Sequence, residues 1–273
     1  MAETGTGTLE TSGNMLFYKQ PEPLNNDVHG ALGVTADREH PFTFAKHTQL
    51  IPVTVTEFAL SALSYPIVFA GTEHTPAVVM GLQQDHNAYI DAEGKMPDGL
   101  YLPGFIRRYP FVPATNNGDP QNLMVCIDRA APFITENPEE PFFEDGKPSD
   151  FTNRAIEFIQ AYETEAQGTR NFVKVMEELD LFDTQEATIP QTSEDGKTVT
   201  QHKIGEFVGI SMAKLNLLPA EKLAELRDNG GLQAIYAQLI SQANWPRLVA
   251  QEMKNPAPGE TMGEVMGEPE GQA

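Results

Sequence analysis

Residues 100–128 read LYLPGFIRRYPFVPATNNGDPQNLMVCID, and this stretch decides how the chain is read. Arg107 and Arg108 stand between Phe105-Ile106 and Tyr109-Pro110-Phe111, with more aromatic and aliphatic area around them than a solvated strand carries. Read as a strand, FIRRYPFVP (105–113) sends successive side chains to opposite faces. One arginine then points inward and needs a defined partner. LMVCID (123–128) follows as another short apolar run. The stretch specifies structure and names no reaction.

Working outward, PIVFA (66–70), AVVMGL (77–82) and NAYID (87–91) are further candidate strands, separated by brief loops carrying Gly71, Pro76 and EGKMPDG. Short strands in close succession predict an antiparallel meander rather than a parallel sheet. Before them, VTVTEFALSALS (53–64) reads as a short helix that Thr56 can cap, with Phe58, Ala59, Ala62 and Leu63 on one side. Tyr65-Pro66 ends it. The second half changes period. Ala155, Phe158, Ile159, Tyr162, Ala166, Thr169, Phe172, Val173, Met176 and Leu179 recur at helical spacing, giving one long helix or two broken near Gly168. The polar TQEATIPQTSEDGKTVTQHK (184–203) reads as a surface loop or hairpin, and IGEFVGIS (204–211) as a strand. AEKLAELRDNGG makes a helix that stops at Asn229-Gly230; Leu232, Ile235, Tyr236, Leu239 and Ile240 mark another, which Trp245 and Leu248 seal.

The expected fold class is therefore α+β: an antiparallel meander, sheet-rich over 50–135, with helices packed on one side and a helix-rich 150–254. Residues 15–254 read as a single domain. Composition predicts disorder for 1–14, rich in Thr, Gly and Glu, and for the acidic tail 255–273.

Across 273 residues, 18 basic side chains stand against 39 acidic ones, a net charge of −21. Such a surface repels phosphate backbones and anionic lipid, so neither nucleic acid nor a membrane is an expected partner. The start of the chain has no basic segment followed by an apolar one, and no run reaches the length of a spanning helix. A cytoplasmic location is the default, with signal-less export as the other route. Cys126, the one cysteine, sits in the apolar LMVCI and reads as a small buried hydrophobe.

No phosphate loop, dinucleotide fingerprint, nucleophile elbow, HExxH or paired CxxC occurs, so no cofactor, metal or catalytic residue is expected. Among six histidines, His29 follows Asn25-Asn26-Asp27, which can orient its ring. The arginine pair remains the main candidate for binding. A guanidinium fork suits carboxylate or phosphate, and Tyr109 and Asp128 lie close to it in the fold pattern. Against this stands an internal salt bridge to Asp91 or Asp128, each ending an expected strand.

With these segments laid out, the chain resembles the SapC family of bacterial proteins. The resemblance is carried by PLNNDVHGAL (23–32), EFALSALSYPIVF (57–69), GLQQDHNAYIDAEG (81–94), YLPGFIRRYPF (101–111), VCIDRAAPF (125–133), FFEDGKPS (142–149) and LQAIYAQLISQANWPRL (232–248). It covers about 16–249 and departs in the polar segment around 183–202 and at both ends. The family takes its name from a crystalline bacterial surface layer and supplies no agreed catalytic residues. Its members accompany outer-membrane receptors, halogenase-like flavoproteins and cupin-type proteins. The resemblance thus implies a non-catalytic accessory or binding protein working through protein contacts at the cell surface or in nutrient uptake. The alternatives are an enzyme or binder holding a small anionic ligand with Arg107 or Arg108 and His29, and a surface-layer component.

Overall fold

The computed structural model describes residues 9–11, 16–116, 119–192 and 199–258. Its main strands are β1 (Leu9–Thr11), β2 (Pro21–Pro23), β3 (Leu50–Pro52), β4 (Ile67–Ala70), β5 (Thr75–Val79), β6 (Phe111–Asn116), β7 (Asp119–Asp128), β8 (Phe182–Thr192) and β9 (Val199–Ile210). They form two antiparallel sheets, ordered β1-β6-β7-β2 and β8-β9-β4-β5-β3. The main helices are α1 (Asp150–Glu178), α2 (Ala220–Asp228), α3 (Gly231–Ser241) and α4 (Trp245–Lys254). The chain is α+β, its strands pair antiparallel, and its longer helices lie in the C-terminal half.

The β6–β7 hairpin takes up the second part of the 100–128 stretch, from Phe111 to Asp128. Phe111 pairs with Ile127 and Val112 with Cys126. Val112, Ala114 and Cys126 join the main core, whereas Phe111 and Ile127 face a second cluster with Leu32, Phe142 and Ile159. Both faces of this part of the hairpin are covered. That is why its sequence is apolar on successive residues instead of alternating.

Helix α1 runs unbroken for 29 residues. Ser149 caps it by accepting a hydrogen bond from the Thr152 amide at 3.2 Å. Gly168 does not break it, because Tyr162, Val173 and Met176 bury the same face on either side of the glycine. The polar segment after it is a hairpin, β8–β9, whose register runs from Phe182↔Ile210 to Thr192↔Val199 with a bulge at Ala187/Thr188. Its far end is polar because Val199–Gln201 are exposed, while Gly209 and Ile210 are buried. α3 packs on β9 and β4, and Trp245 and Leu248 are buried as expected.

Three local expectations change. NAYID is a turn rather than a strand. The Asn87 side chain donates to the Thr48 carbonyl at 3.2 Å and accepts from the Tyr89 amide at 3.1 Å, replacing a ladder with local bonds. The helix at 53–64 is capped by Thr54, not Thr56. Thr54 and Glu57 form a reciprocal capping box around a 3₁₀ turn that leads into Phe58–Ser61. FIRRYPFVP begins as a helical turn, Gly104–Arg107, and becomes strand only at Phe111.

Of the ends expected to be disordered, Leu9–Thr11 pairs with Ala114–Asn116. Asn255 donates its side-chain amide to the Ile90 carbonyl at 2.7 Å. Residues 1–8, 12–15 and 259–273 lie outside the described residues.

Candidate functional site

The arginine pair takes its geometry from a buried carboxylate. Glu57 Oε1 accepts from the Gly104 amide at 2.6 Å and the Tyr101 hydroxyl at 2.8 Å, and faces Arg107 Nη2 at 3.8 Å. It thereby holds the start of the helical turn 104–107. Consecutive residues on a helical turn point about 100° apart. Arg107 stays 43% exposed along its side chain, and Arg108 is 3% exposed. One arginine does point inward, as expected, but through helical rather than strand geometry.

Arg107 donates from Nε to the Leu102 carbonyl at 3.1 Å and from Nη2 to the Tyr101 hydroxyl at 3.3 Å. Its guanidinium lies 5.1 Å from the centre of the Phe158 ring. Arg108 is enclosed by rings, at 4.0 Å from Phe105, 5.0 Å from Tyr162 and 5.6 Å from Tyr18. Its Nε donates to the Tyr18 hydroxyl at 3.1 Å, and that hydroxyl donates to the Phe111 carbonyl at 2.9 Å. Among the described residues, its Nη2 is buried with no hydrogen-bond partner, and no carboxylate forms an ion pair with Arg108. Burial pushes the Tyr18 phenol up to about 12, so Tyr18 is neutral and cannot serve as the missing anion.

The expected salt bridges to Asp91 or Asp128 do not form. Asp128 is fully buried and accepts from the amides of Gln20 at 2.8 Å, Lys19 at 3.1 Å and Ala130 at 3.2 Å. It also accepts from the Tyr109 hydroxyl at 3.0 Å. These backbone donors satisfy its charge without an arginine. Burial, and then the Asp128 charge, raise the Tyr109 phenol far above its ordinary range. Asp91 Oδ1 accepts from the Lys95 amide at 2.8 Å.

His29 is 1% exposed, with Nε2 facing Glu22 Oε1 at 2.8 Å and Nδ1 3.1 Å from both the amide and the carbonyl of Asn25. It closes the turn Asn26–His29 and is not brought to the arginines. Arg107, Arg108 and Tyr109 do converge. They line one cavity of about 500 Å³, together with Phe44, Phe133, Phe158 and Arg154, whereas His29 and Asp128 do not line it. Arg154 extends from α1 and faces Glu140 at 3.9 Å. A larger cavity of about 1000 Å³ also touches Arg108, and its lining carries Glu73, Asp85, Glu163 and Glu177 beside Arg170 and Lys174. Among the described residues, no three His, Cys, Asp or Glu side chains gather as metal ligands.

Sequence reading missed Arg154, Phe44, Phe133 and Glu57. The Thr54…Glu57 spacing was a visible capping-box signal. Arg154 and Phe158, one turn apart on a helix, put a charge on a face that otherwise reads as core. Nothing local pairs Phe44 with Phe133.

A family model described as SapC matches residues 24–248. The chain belongs to the SapC family. In this SapC-family chain the matched span includes His29 and the whole cavity lining, whereas Tyr18 precedes it. No curated protein and no solved structure matches the chain. Among the described residues, no helix is long and apolar enough to cross a membrane.

Proposed function

We propose that this SapC-family chain is a binding protein for a small anionic ligand, seated in the cavity beside Arg107–Tyr109. The observation that carries the reading is the convergence of Arg107, Arg108 and Arg154 on one aromatic cavity, where Asp37 is the acidic residue of the lining. On a chain of net charge −21, such a local excess of positive charge marks a place where an anion is favoured. The His29 contribution drops out, because Glu22 and Asn25 hold that ring elsewhere.

The test is a thermal-shift and titration series with simple organic and inorganic anions at matched ionic strength, on wild type and on Arg107→Ala and Arg154→Gln. A ligand present at 100 times its Kd stabilises the fold by about 2.7 kcal/mol, and the two substitutions should weaken that shift when it is measured from each variant's own ligand-free melting point. Absence of a shift with every anion, or a shift indifferent to both substitutions, overturns the reading.

A second reading, the accessory protein acting through protein contacts, is supported by a different face. Leu60 and Leu63 are 52% and 69% exposed, and Tyr236 and Ile240 on the adjoining α3 are 46% and 66% exposed. Sedimentation of wild type against a Leu63→Ser/Ile240→Ser variant tests whether this face self-associates. Equal sedimentation at rising concentration removes self-contact from that reading.

A further inference from the structure

Resting on that reading, we infer that the ligand is an aromatic carboxylate, its ring among Phe44, Phe133 and Phe158 and its single negative charge matched to Arg108. The body of the ligand follows from the walls. Phe42, Phe44, Tyr109, Phe133, Phe151 and Phe158 all line the cavity, and all are half-buried rather than packed away. Phe44 stacks on Tyr109 at 4.1 Å and 20°, and Phe133 meets Tyr109 edge-on at 5.4 Å and 89°. Rings already arranged in stacked and edge-on pairs offer a further flat ring the same contacts, which an alkyl chain cannot reproduce.

The charge follows from counting donors. Arg107 has given Nε to Leu102 and Nη2 to Tyr101, and Glu57 faces it at 3.8 Å. Arg154 has Glu140 at 3.9 Å. Arg108 is the arginine of the cavity without a carboxylate among the described residues, and its Nη2 is the buried donor left over. One uncompensated positive charge calls for one negative charge. A phosphate dianion would bring more charge and more acceptor oxygens than these donors satisfy, at a desolvation cost of several kcal/mol. The larger cavity also touches Arg108, but in its lining Glu73, Asp85, Glu163 and Glu177 outnumber Arg108, Arg170 and Lys174, whereas in the smaller one three arginines stand against Asp37.

The experiment is calorimetric titration of the full chain with 2-naphthoate, octanoate, naphthyl phosphate and 2-naphthamide. Naphthoate should bind about tenfold or more tightly than each of the other three, a difference of one ring or charge interaction. Phe133→Leu should weaken naphthoate several-fold and leave octanoate unchanged. Arg108→Lys, which keeps the charge if Arg108→Met does not fold, should retain naphthoate binding with reduced affinity. Octanoate or naphthyl phosphate binding as tightly as naphthoate overturns the aromatic carboxylate while leaving an anion-binding protein standing. Naphthamide binding as tightly as naphthoate overturns the charge match, and failure of every anion to bind overturns both readings.

Discussion

Asp128 meets Tyr109, Arg108 meets Tyr18 and Phe105, and the two buried charges are accommodated differently. Asp128 is satisfied by three backbone amides and the Tyr109 hydroxyl. Asp128→Asn turns one of its oxygens into a donor facing donors, so the variant should lose about 2–3 kcal/mol of unfolding free energy, measured by urea titration. An unchanged midpoint would mean the carboxylate is not the hub of these bonds. Arg108 is held by ring faces and one hydroxyl, so its charge is only partly answered inside the protein. The sequence exposed the conflict of two arginines in an apolar run. It could not show the resolution, because Tyr18 and Tyr162 come from distant segments and a ring that shields a cation looks the same in sequence as one that packs a core.

Helix α1 shows how much local chemistry decides at the level of an element. Its periodicity was readable from residue spacing, which left open whether the helix passes Gly168; the structure carries it through and starts it at the Ser149 cap. Ser149→Ala should cost about 1 kcal/mol, visible as a lower urea midpoint, since the Thr152 amide loses its acceptor. No change would place the role with the Thr152 hydroxyl, which donates to the Phe142 carbonyl at 2.8 Å. NAYID and FIRRYPFVP failed as strands for a common reason. In each, a side chain took up bonds that a ladder would need: that of Asn87, inside NAYID itself, and the Glu57 carboxylate at Gly104, just ahead of FIRRYPFVP. Strand propensity yields to the partner available, local in the first case and from a distant segment in the second.

Across the whole molecule, the main core draws residues from both sheets and from α1, α3 and α4, so we propose that the described chain unfolds as one cooperative unit. Burial pushes the Cys126 thiol up to about 11 and the Tyr18 and Tyr101 phenols up to about 12. These groups stay protonated in the fold at pH values where an unfolded thiol, near ~8.5, and unfolded phenols, near ~10, release protons. Their stabilisation is complete below those unfolded values and is lost as pH rises toward the folded ones. The urea midpoint should therefore fall between about pH 9 and about pH 12, with the absorbance of the buried tyrosinates appearing together with unfolding. Ionisation of more phenols than the exposed Tyr236 well before unfolding would contradict the burial. The sequence by itself determined the α+β class, the long helix, the apolar hairpin and the family resemblance, because periodicity, caps and turn residues act within a few positions. Only the tertiary structure decided that Arg107, Arg108 and Tyr109 share a cavity with Phe44, Phe133 and Arg154, and that His29 stands apart from it. Which side chains meet across a folded chain depends on packing between distant segments, and no spacing along the sequence encodes that.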